Sequence, residues 1–489
     1  MLGMYRSRLG KNLDQHTLDY VSSISDDSEI AIYDIIGSQA HSIMLYENKI
    51  LNKTEVKKIL TALEKLKKQN LSAKSSAEDI HELIETMVIK KTGLEVGGKM
   101  HTARSRNDQV ALDLRMKIRD DINTICSCIL DMVETLVLLA EKHTSTAMPL
   151  YTHLQQAQIG TFSHFLISYS DALLRDFERL YDTFERVNHS PLGAGPVGGT
   201  SLPINRNSTA KMLGFFAVVE NSIDATSNRD VVAEYVGNIA ILMTNLSRIA
   251  EDLVIWSTSE FSFVELSDQF SSPSSVMPQK KNPDILELTR GKTARVIGNL
   301  VAILSNLKGL ASGYGRDLQE IKPSVFLSSR TAISALVVLN SMFATLKVNK
   351  QKMNQIADSG YLAALDVAEA LVKEGLPFRT AHKIVGKLVQ IAHESKISLS
   401  ELTSSEVARS VADKEFDAKK LGKIISSINA QSSLKNRSSL GSSGIAEQKR
   451  LISKRKSKIK QYRNNVTKRT SQITLAIERL SSRVKMLSK

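Results

Sequence analysis

The spacing of apolar residues between 110 and 142 constrains this chain more than any other feature. Ile118, Ile122, Ile125, Ile129, Met132, Leu136 and Leu139 follow one another at alternating gaps of four and three. A repeat of 3.5 residues lays its members along one stripe of an α-helix, the geometry of a rod packed lengthwise on other rods. The same rhythm returns at Val232, Tyr235, Ile239, Leu242, Leu246, Ile249, Leu253 and Trp256. Leu173, Phe177, Leu180, Phe184 and Val187 make a third seam, and Ile297, Leu300, Leu304 and Leu307 a fourth. A helix of about 33 residues is about 50 Å long. Several such rods, with strand signals scarce, predict an elongated all-α bundle. Val133, Val137, Leu138, Val236 and Met243 widen the apolar faces beside the seams. Such width calls for further neighbours, so a homo-oligomer is expected over a monomeric bundle.

The regions flanking the rods read differently. Residues 1–105 are a shorter helical region interrupted at Gly37, Gly93 and Gly97-Gly98, and beyond about 355 the helical pattern shortens again. The serine-rich stretch 426–444 reads as loop or linker. No apolar run reaches the roughly 18 residues of a membrane span, and the opening MLGMYRSRLGKN lacks the apolar middle of a secretory signal. Cys126 and Cys128 lie two apart on a helix and point in different directions, as befits reduced thiols of a cytoplasmic protein. The net charge of +14 is almost wholly terminal, because residues 449–489 hold fourteen Lys and Arg against one acid, Glu478. The body of the chain is therefore no polyanion binder on charge. With Tyr462 as its one aromatic, the tail has little capacity to stack on bases. A solvated tail or an oligomer-contacting helix is expected there in preference to a nucleic-acid contact.

Four motifs carry polar chemistry. Gly193, Gly195 and Gly198 in PLGAGPVGG fit G-x-G-x-x-G, but a rod precedes them and Pro196 interrupts them, so a compact turn is expected rather than a dinucleotide fold. In GKMHTARSRNDQ, His101, Arg104, Ser105, Arg106 and Asn107 could line an anion site at a helix N-terminus. The same stretch also reads as an ordinary helix start capped by Asn107 or Asp108. YTHLQQ places Thr152 and His153 at the opening of another helical pattern, although a lone histidine, like His81 in AEDIHE, is more often structural than catalytic.

The fourth motif, SSPSSVMPQKKNPDILE at 271–287, has a coherent job for every part. Asn282, Pro283 and Asp284 suit the cap, first position and first turn of a helix. The segment before them has the small polar composition of a mobile loop. Lys280, Lys281 and the helix-start amides converge where a small dianion would be stabilised, with a serine nearby; a plain basic loop capping a helix is the alternative. No Cys/His cluster has metal-ligand spacing, and neither a G-x-S-x-G elbow nor a P-loop is present. What remains suits β-elimination next to a carboxylate. Removing the proton builds a doubly charged aci-carboxylate that fixed donors and cations must meet. A base takes the carbon-bound proton, and an acid assists the leaving group.

SSVMPQKKNPD resembles the signature of the fumarase/aspartase superfamily. GKMHTARSRNDQ, YTHLQQAQ, DATSNRD, EFSFVELSD and GLASGYGRDLQEIK narrow the resemblance to the argininosuccinate lyases, from about residue 5 to about 450. The resemblance implies a cytoplasmic homotetramer without metal or cofactor, with active sites shared between subunits. It would split argininosuccinate into arginine and fumarate. It also implies three helical domains, near 1–105, 106–354 and 355–489, with a basic tail from about 455 that outruns the family's usual end. By motif, Ser274 is carried over as the catalytic serine and His153 as the catalytic histidine, with Glu287 as its carboxylate partner. Lys280 and Asn282 would hold the carboxylate that becomes the dianion. Ser23, Asn107, Thr152, Tyr314, Gln319 and Lys322 resemble substrate-binding positions, joined by Ser105 and Arg106. Asp79 and His81 support the site. An imidazole is the natural base near pH 7, yet the family assigns that role to the serine and gives the histidine the leaving nitrogen. Pro273 stands where the family has glycine and Asn228 where it commonly has Glu. A sister lyase acting on adenylosuccinate, fumarate or aspartate, and a crystallin-like structural homologue, are the rival readings.

Overall fold

The computed structural model describes residues 13–69, 71, 77–411 and 416–489; the opening residues 1–12, read above for a secretory signal, lie outside them. Short polar residues start two of the early helices. Ala31–Glu47 (α1) leads into Lys53–Leu66 (α2), where Asn52 and Glu55 cap each other's amides. Asp79 caps Ile80–Thr92 (α3) by accepting the Glu82 amide at 2.8 Å.

The long rod Arg106–Lys142 (α4) begins at Ser105, not at Asn107 or Asp108. Ser105 alone has the extended backbone a cap needs, and its hydroxyl accepts the Asn107 amide at 3.3 Å. Asp108 turns back to the Ser105 amide at 3.0 Å, completing a capping box from the third helical position. Phe162–Val187 (α5), Asp230–Trp256 (α6), Asp284–Leu307 (α7) and Ile321–Ala344 (α8) are the remaining rods. α4 packs along α5 and α8, and α6 along α7 and α5. The seam residues of α5 and α6 are buried throughout, as are those of α4 up to Leu136.

Three expectations about the rods are corrected. The fourth seam is split, since Leu300 and Leu307 pack against the core whereas Ile297 and Leu304 are 44% and 50% exposed. The inward face of α7 is instead Leu286, Thr289, Thr293, Val296 and Ile303, a second row of the same period. Val133, Val137, Val236 and Met243 are buried within the chain, and of the flanking residues only Leu138 is exposed. Stretches within Arg106–Glu141 and Arg316–Ala344 do reach mean hydropathies of 1.7 and 1.4 over 18 residues, enough for a membrane span by composition. More than half of each window is buried in the bundle, which accounts for its apolar character.

Between α4 and α5 the chain forms a hairpin, Ala147–Thr152 (β1) and Gln155–Thr161 (β2), rather than the expected helix start. Its base is held where Trp256 packs edge-on against Phe162 and Phe165. Beyond the rods, Ala364–Lys373 (α9), Phe378–Ser395 (α10) and Ala418–Ser427 (α11) close around their own core of Leu371, Ile384, Leu388 and Leu421. The serine-rich stretch is not plain linker. Asn429 caps a short helix, Ala430–Asn436, whose Leu434 is buried with Ala147 and Ile159 of the hairpin.

The basic tail is a 44-residue helix, Ile445–Ser488 (α12), packed along α4, α2 and neighbouring helices. Its Leu451, Ile452, Ile459, Val466, Ile473, Leu480 and Val484 join the main core, apart from the α9–α11 cluster. The solvated tail expected from its charge is thus replaced by a packed helix, because this apolar row is buried, and acids on the rods beneath answer its cations. Arg455 pairs with Asp171, Lys456 with Glu141, Lys458 with Glu178, and Arg463 with Asp131 and Glu134, all between 2.6 and 2.8 Å. Arg469 is buried over the Phe184 and Tyr181 rings and donates to Asn123.

Candidate active site

The predicted residues fall into three groups on one chain. The first surrounds the start of α4. Arg106 donates to Asp79 at 2.8 Å and lies 3.5 Å from Glu78. Glu78 also receives Arg316 at 3.1 Å, and Arg316 and Gln319 both donate to the Val21 carbonyl. Tyr314, about a third exposed, lies in the field of Arg229, Asp79 and Arg106. Asn107 donates its carboxamide to the Pro196 carbonyl at 3.0 Å. Ser23 and Lys322 lie deeper. Lys322 donates to Ser23 at 3.0 Å and pairs with Asp27, which also accepts the Ser23 hydroxyl at 2.8 Å. Both are buried and occupied with each other.

Beneath this group lies a sealed ionic cluster. His81 Nδ1 stands 3.0 Å from Asp34 and 3.7 Å from Asp113, and Gln109 donates to the same Asp34 oxygen at 2.9 Å. Burial works against the imidazolium, but the charge of Asp34, its hydrogen bond, and the charges of Asp79 and Asp113 outweigh it and raise the His81 pKa to about 9. Burial and the nearby Asp34 charge push Asp113 well above its ordinary value. Burial would also raise Asp79, but His81, Arg106 and the Glu82 amide hold it below its ordinary value. His81 therefore supports Asp79, which in turn orients Arg106. Asp34, His81 and Asp113 offer three ligand-type atoms within 4.8 Å of one another, a grouping no sequence spacing revealed.

The second group is the hairpin tip. Thr152 pairs with Gln155, leaving His153 and Leu154 as a two-residue turn at φ 55° and 58°. Positive φ at both central residues is the turn that matches strand twist, normally made by Asn and Gly. A leucine there is strained, and His153, Thr152 and Leu154 are exposed.

The third group is the loop after α6. Ser272 pairs with Asn282 and Pro273 with Lys281, which closes residues 274–280 into a loop with a two-rung neck. Ser274 accepts the amides of Val276 and Met277 at 3.3 and 3.0 Å. Lys281 is anchored to Asp268 at 2.8 Å and Glu265 at 3.1 Å, whereas Lys280 lines a cavity of about 660 Å³ with Asn282 and Glu287. The helix start differs by one residue from expectation. Asn282 is engaged in the neck, so Pro283 takes the cap position and Asp284 opens α7. Among the described residues, His153 makes no hydrogen bond to Glu287 or Ser274 within the chain.

One residue near the first group escaped the sequence reading. Arg229 is buried, donates to the carbonyls of Thr226 and Asn228, and leaves Nε and Nη2 unpartnered beside Tyr314. Burial lowers its pKa to about 10. Its signal in the sequence is the Arg-Asp pair of DATSNRD, next to Asn228.

Known proteins resemble this chain in both sequence and fold. A family described as "Lyase" matches residues 8–298, and one described as "Argininosuccinate lyase C-terminal" matches 361–430, which spans α9–α11. The chain is 64% identical over 481 residues to an argininosuccinate lyase of Nitrosopumilus maritimus, covering 98% of this chain and 99% of that one. It is 45% identical to an argininosuccinate lyase of Methanocaldococcus jannaschii over 81% of this chain and 83% of that one. Its fold overlays a crystal structure of EDDS lyase in complex with formate at a TM-score of 0.85, with 29% identity over 97% of this chain and 94% of that one. A class II fumarase of Schistosoma mansoni shares the fold at a TM-score of 0.72 and 14% identity, over 84% and 91% of the two chains. With relatives matched along nearly its whole length, the chain belongs to the argininosuccinate lyases of the fumarase/aspartase superfamily.

Proposed function

We infer that the protein is a carbon–nitrogen lyase that converts argininosuccinate to arginine and fumarate without a resident cofactor. The observation that carries this reading is the 274–280 loop. It is closed at its neck and ends in Lys280, which lines one cavity with Asn282 of the neck and Glu287, in a chain 64% identical to an argininosuccinate lyase. In the proposed reaction Ser274 removes the proton next to the succinyl carboxylate. The resulting dianion is held by Lys280, Asn282 and loop amides, which supply charge where it develops. The C–N bond then breaks, its electron pair leaves with the guanidino nitrogen, and His153 helps deliver the proton that nitrogen needs. Arg106, Asn107 and Ser105, with Thr152, Tyr314, Gln319, Ser23 and Lys322, are proposed to bind the substrate.

The three groups stand on separate elements of one chain, and among the described residues His153 has no carboxylate partner there. We propose that they complete one another across subunits of a homotetramer, with Glu287 of one subunit serving His153 of another. The outward row of α7 supports this, since Leu288, Ile297, Val301 and Leu304 are all 44% exposed or more. The proposed subunit has three helical units, with α12 strapped to the first two rather than to the third. Free thiols at Cys126 and Cys128 suit a cytoplasmic setting. The test is direct: purified protein without added metal should raise fumarate absorbance with argininosuccinate and not with adenylosuccinate. The opposite preference would overturn the substrate assignment.

A further inference from the structure

We infer that Asp108 is a positioning residue for this reaction: it locks the glycine turn 193–199 onto the start of α4 and so fixes how Asn107 presents its carboxamide. The inference rests on the reading above that Asn107 binds substrate.

Asp108 is fully buried, and three backbone amides converge on its carboxylate. Oδ1 accepts Ser105 N–H at 3.0 Å, while Oδ2 accepts Gly193 N–H and Gly195 N–H, each at 2.9 Å. The two glycines have φ of +86° and +63°, which aims both amides at one point as an anion nest does. A Cβ on Gly193 would lie 2.8 Å from the Arg206 side chain, and one on Gly195 3.1 Å from the Gly199 carbonyl. The spacing that resembled a nucleotide fingerprint thus cradles a carboxylate of the same chain. From this anchor the turn folds back, and the Pro196 carbonyl takes one carboxamide hydrogen of Asn107 at 3.0 Å. The other N–H and the carbonyl oxygen of Asn107 are then directed together for a ligand. Asp108 and Asn107 are adjacent, so one loosened tether moves the other.

The charged groups that face Asp108 are Arg104, from the segment before α4, and Arg206, from the short helix Arg206–Met212; the turn itself brings amides. Burial pushes the Asp108 carboxyl up to about 6 against the pull of the Ser105 and Gly195 amides, Arg104 and the Gly193 amide. It is ionised at pH 8 and takes up a proton near pH 6, when one acceptor of the nest is lost.

The test compares KM and kcat for argininosuccinate between pH 5.5 and 8.5 in the wild type, Asp108→Asn, Asn107→Ala and the double variant. At pH 8, Asp108→Asn should raise KM about tenfold, the effect of about one hydrogen bond, with a smaller change in kcat. The wild-type KM should rise below about pH 6 and that of Asp108→Asn should not. The double variant should be no worse than Asn107→Ala, because the two act as one unit. A folded Asp108→Asn with wild-type KM and pH profile, beside a raised KM in Asn107→Ala, overturns the inference alone. A normal KM in Asn107→Ala overturns the reading of Asn107 and the inference with it. Should Asp108→Asn not assemble, Gly195→Ala strains the same turn and must raise KM; a normal value there also overturns the inference.

Discussion

Replacing His81 with glutamine gives a sharp test of the buried cluster. His81 is sealed between Asp34 at 3.0 Å and Asp113 at 3.7 Å, and its pKa is raised from 6.5 to about 9. The folded protein therefore holds the His81 proton more tightly than the unfolded chain does. At about 1.4 kcal/mol per unit, the shift corresponds to about 3 kcal/mol of stability. That stability is complete below about pH 6.5 and disappears as the pH rises through 9. Asp34 and Asp79 lose the support of His81 in the variant, so the pH dependence of the gap reports the His81 charge together with its hold on them. Denaturant unfolding at pH 6 should show the variant weaker by about 3 kcal/mol, and the gap should narrow to well under half of that by pH 9.5. The His81 ring resonance should show the imidazolium persisting to about pH 9. A ring that titrates near 6.5, or a stability gap independent of pH, would refute the ionic account.

Other perturbations address the proposed site and assembly. Ser274→Ala and His153→Asn should each lower turnover by about 10²-fold or more without altering the oligomer, read by fumarate absorbance and light scattering. Near-normal rates would remove the residue from the mechanism. Val301→Asp places a charge in the outward row of α7, where Val301 is 57% exposed in the single chain. It should split the assembly into smaller species on size-exclusion chromatography, and an intact oligomer would show that this row faces solvent. Leu154→Gly relieves a positive φ at the hairpin tip and should raise stability by about 1 kcal/mol. A lower unfolding midpoint would mean that the leucine side chain does more than tolerate its turn.

The rods were legible because a seam repeated over five to eight residues leaves a helix little choice of face. Where two seams share one helix, periodicity alone cannot choose between them. On α7 the row containing Thr289 and Thr293 faces inward because its hydroxyls find partners. Thr293 reaches the Met243 carbonyl at 3.0 Å and that of Thr289 at 2.8 Å, so a polar-looking row can be buried at little cost. The hairpin at 152–155 carries no Asn-Gly code, and strand pairing on either side imposes the turn that its own residues resist. The ionic cluster was hidden for another reason: 34, 81 and 113 lie on three helices and meet only when α1 and α3 dock on α4.

The tail shows how charge misleads when read one segment at a time. Its cations are evident at 449–489, but the acids that answer them are spread over Asp131, Glu134, Glu141, Asp171 and Glu178, among apolar seams. Each exposed pair contributes about 0–1 kcal/mol, so the pairs set register more than they supply stability. The binding itself comes from the apolar row Leu451 to Val484, which the high density of Lys and Arg concealed. Hydrophobic spacing therefore outranks net charge as a guide to whether a basic segment is solvated or packed, and in α12 that row recurs at seven-residue intervals through Ile452, Ile459, Val466, Ile473 and Leu480.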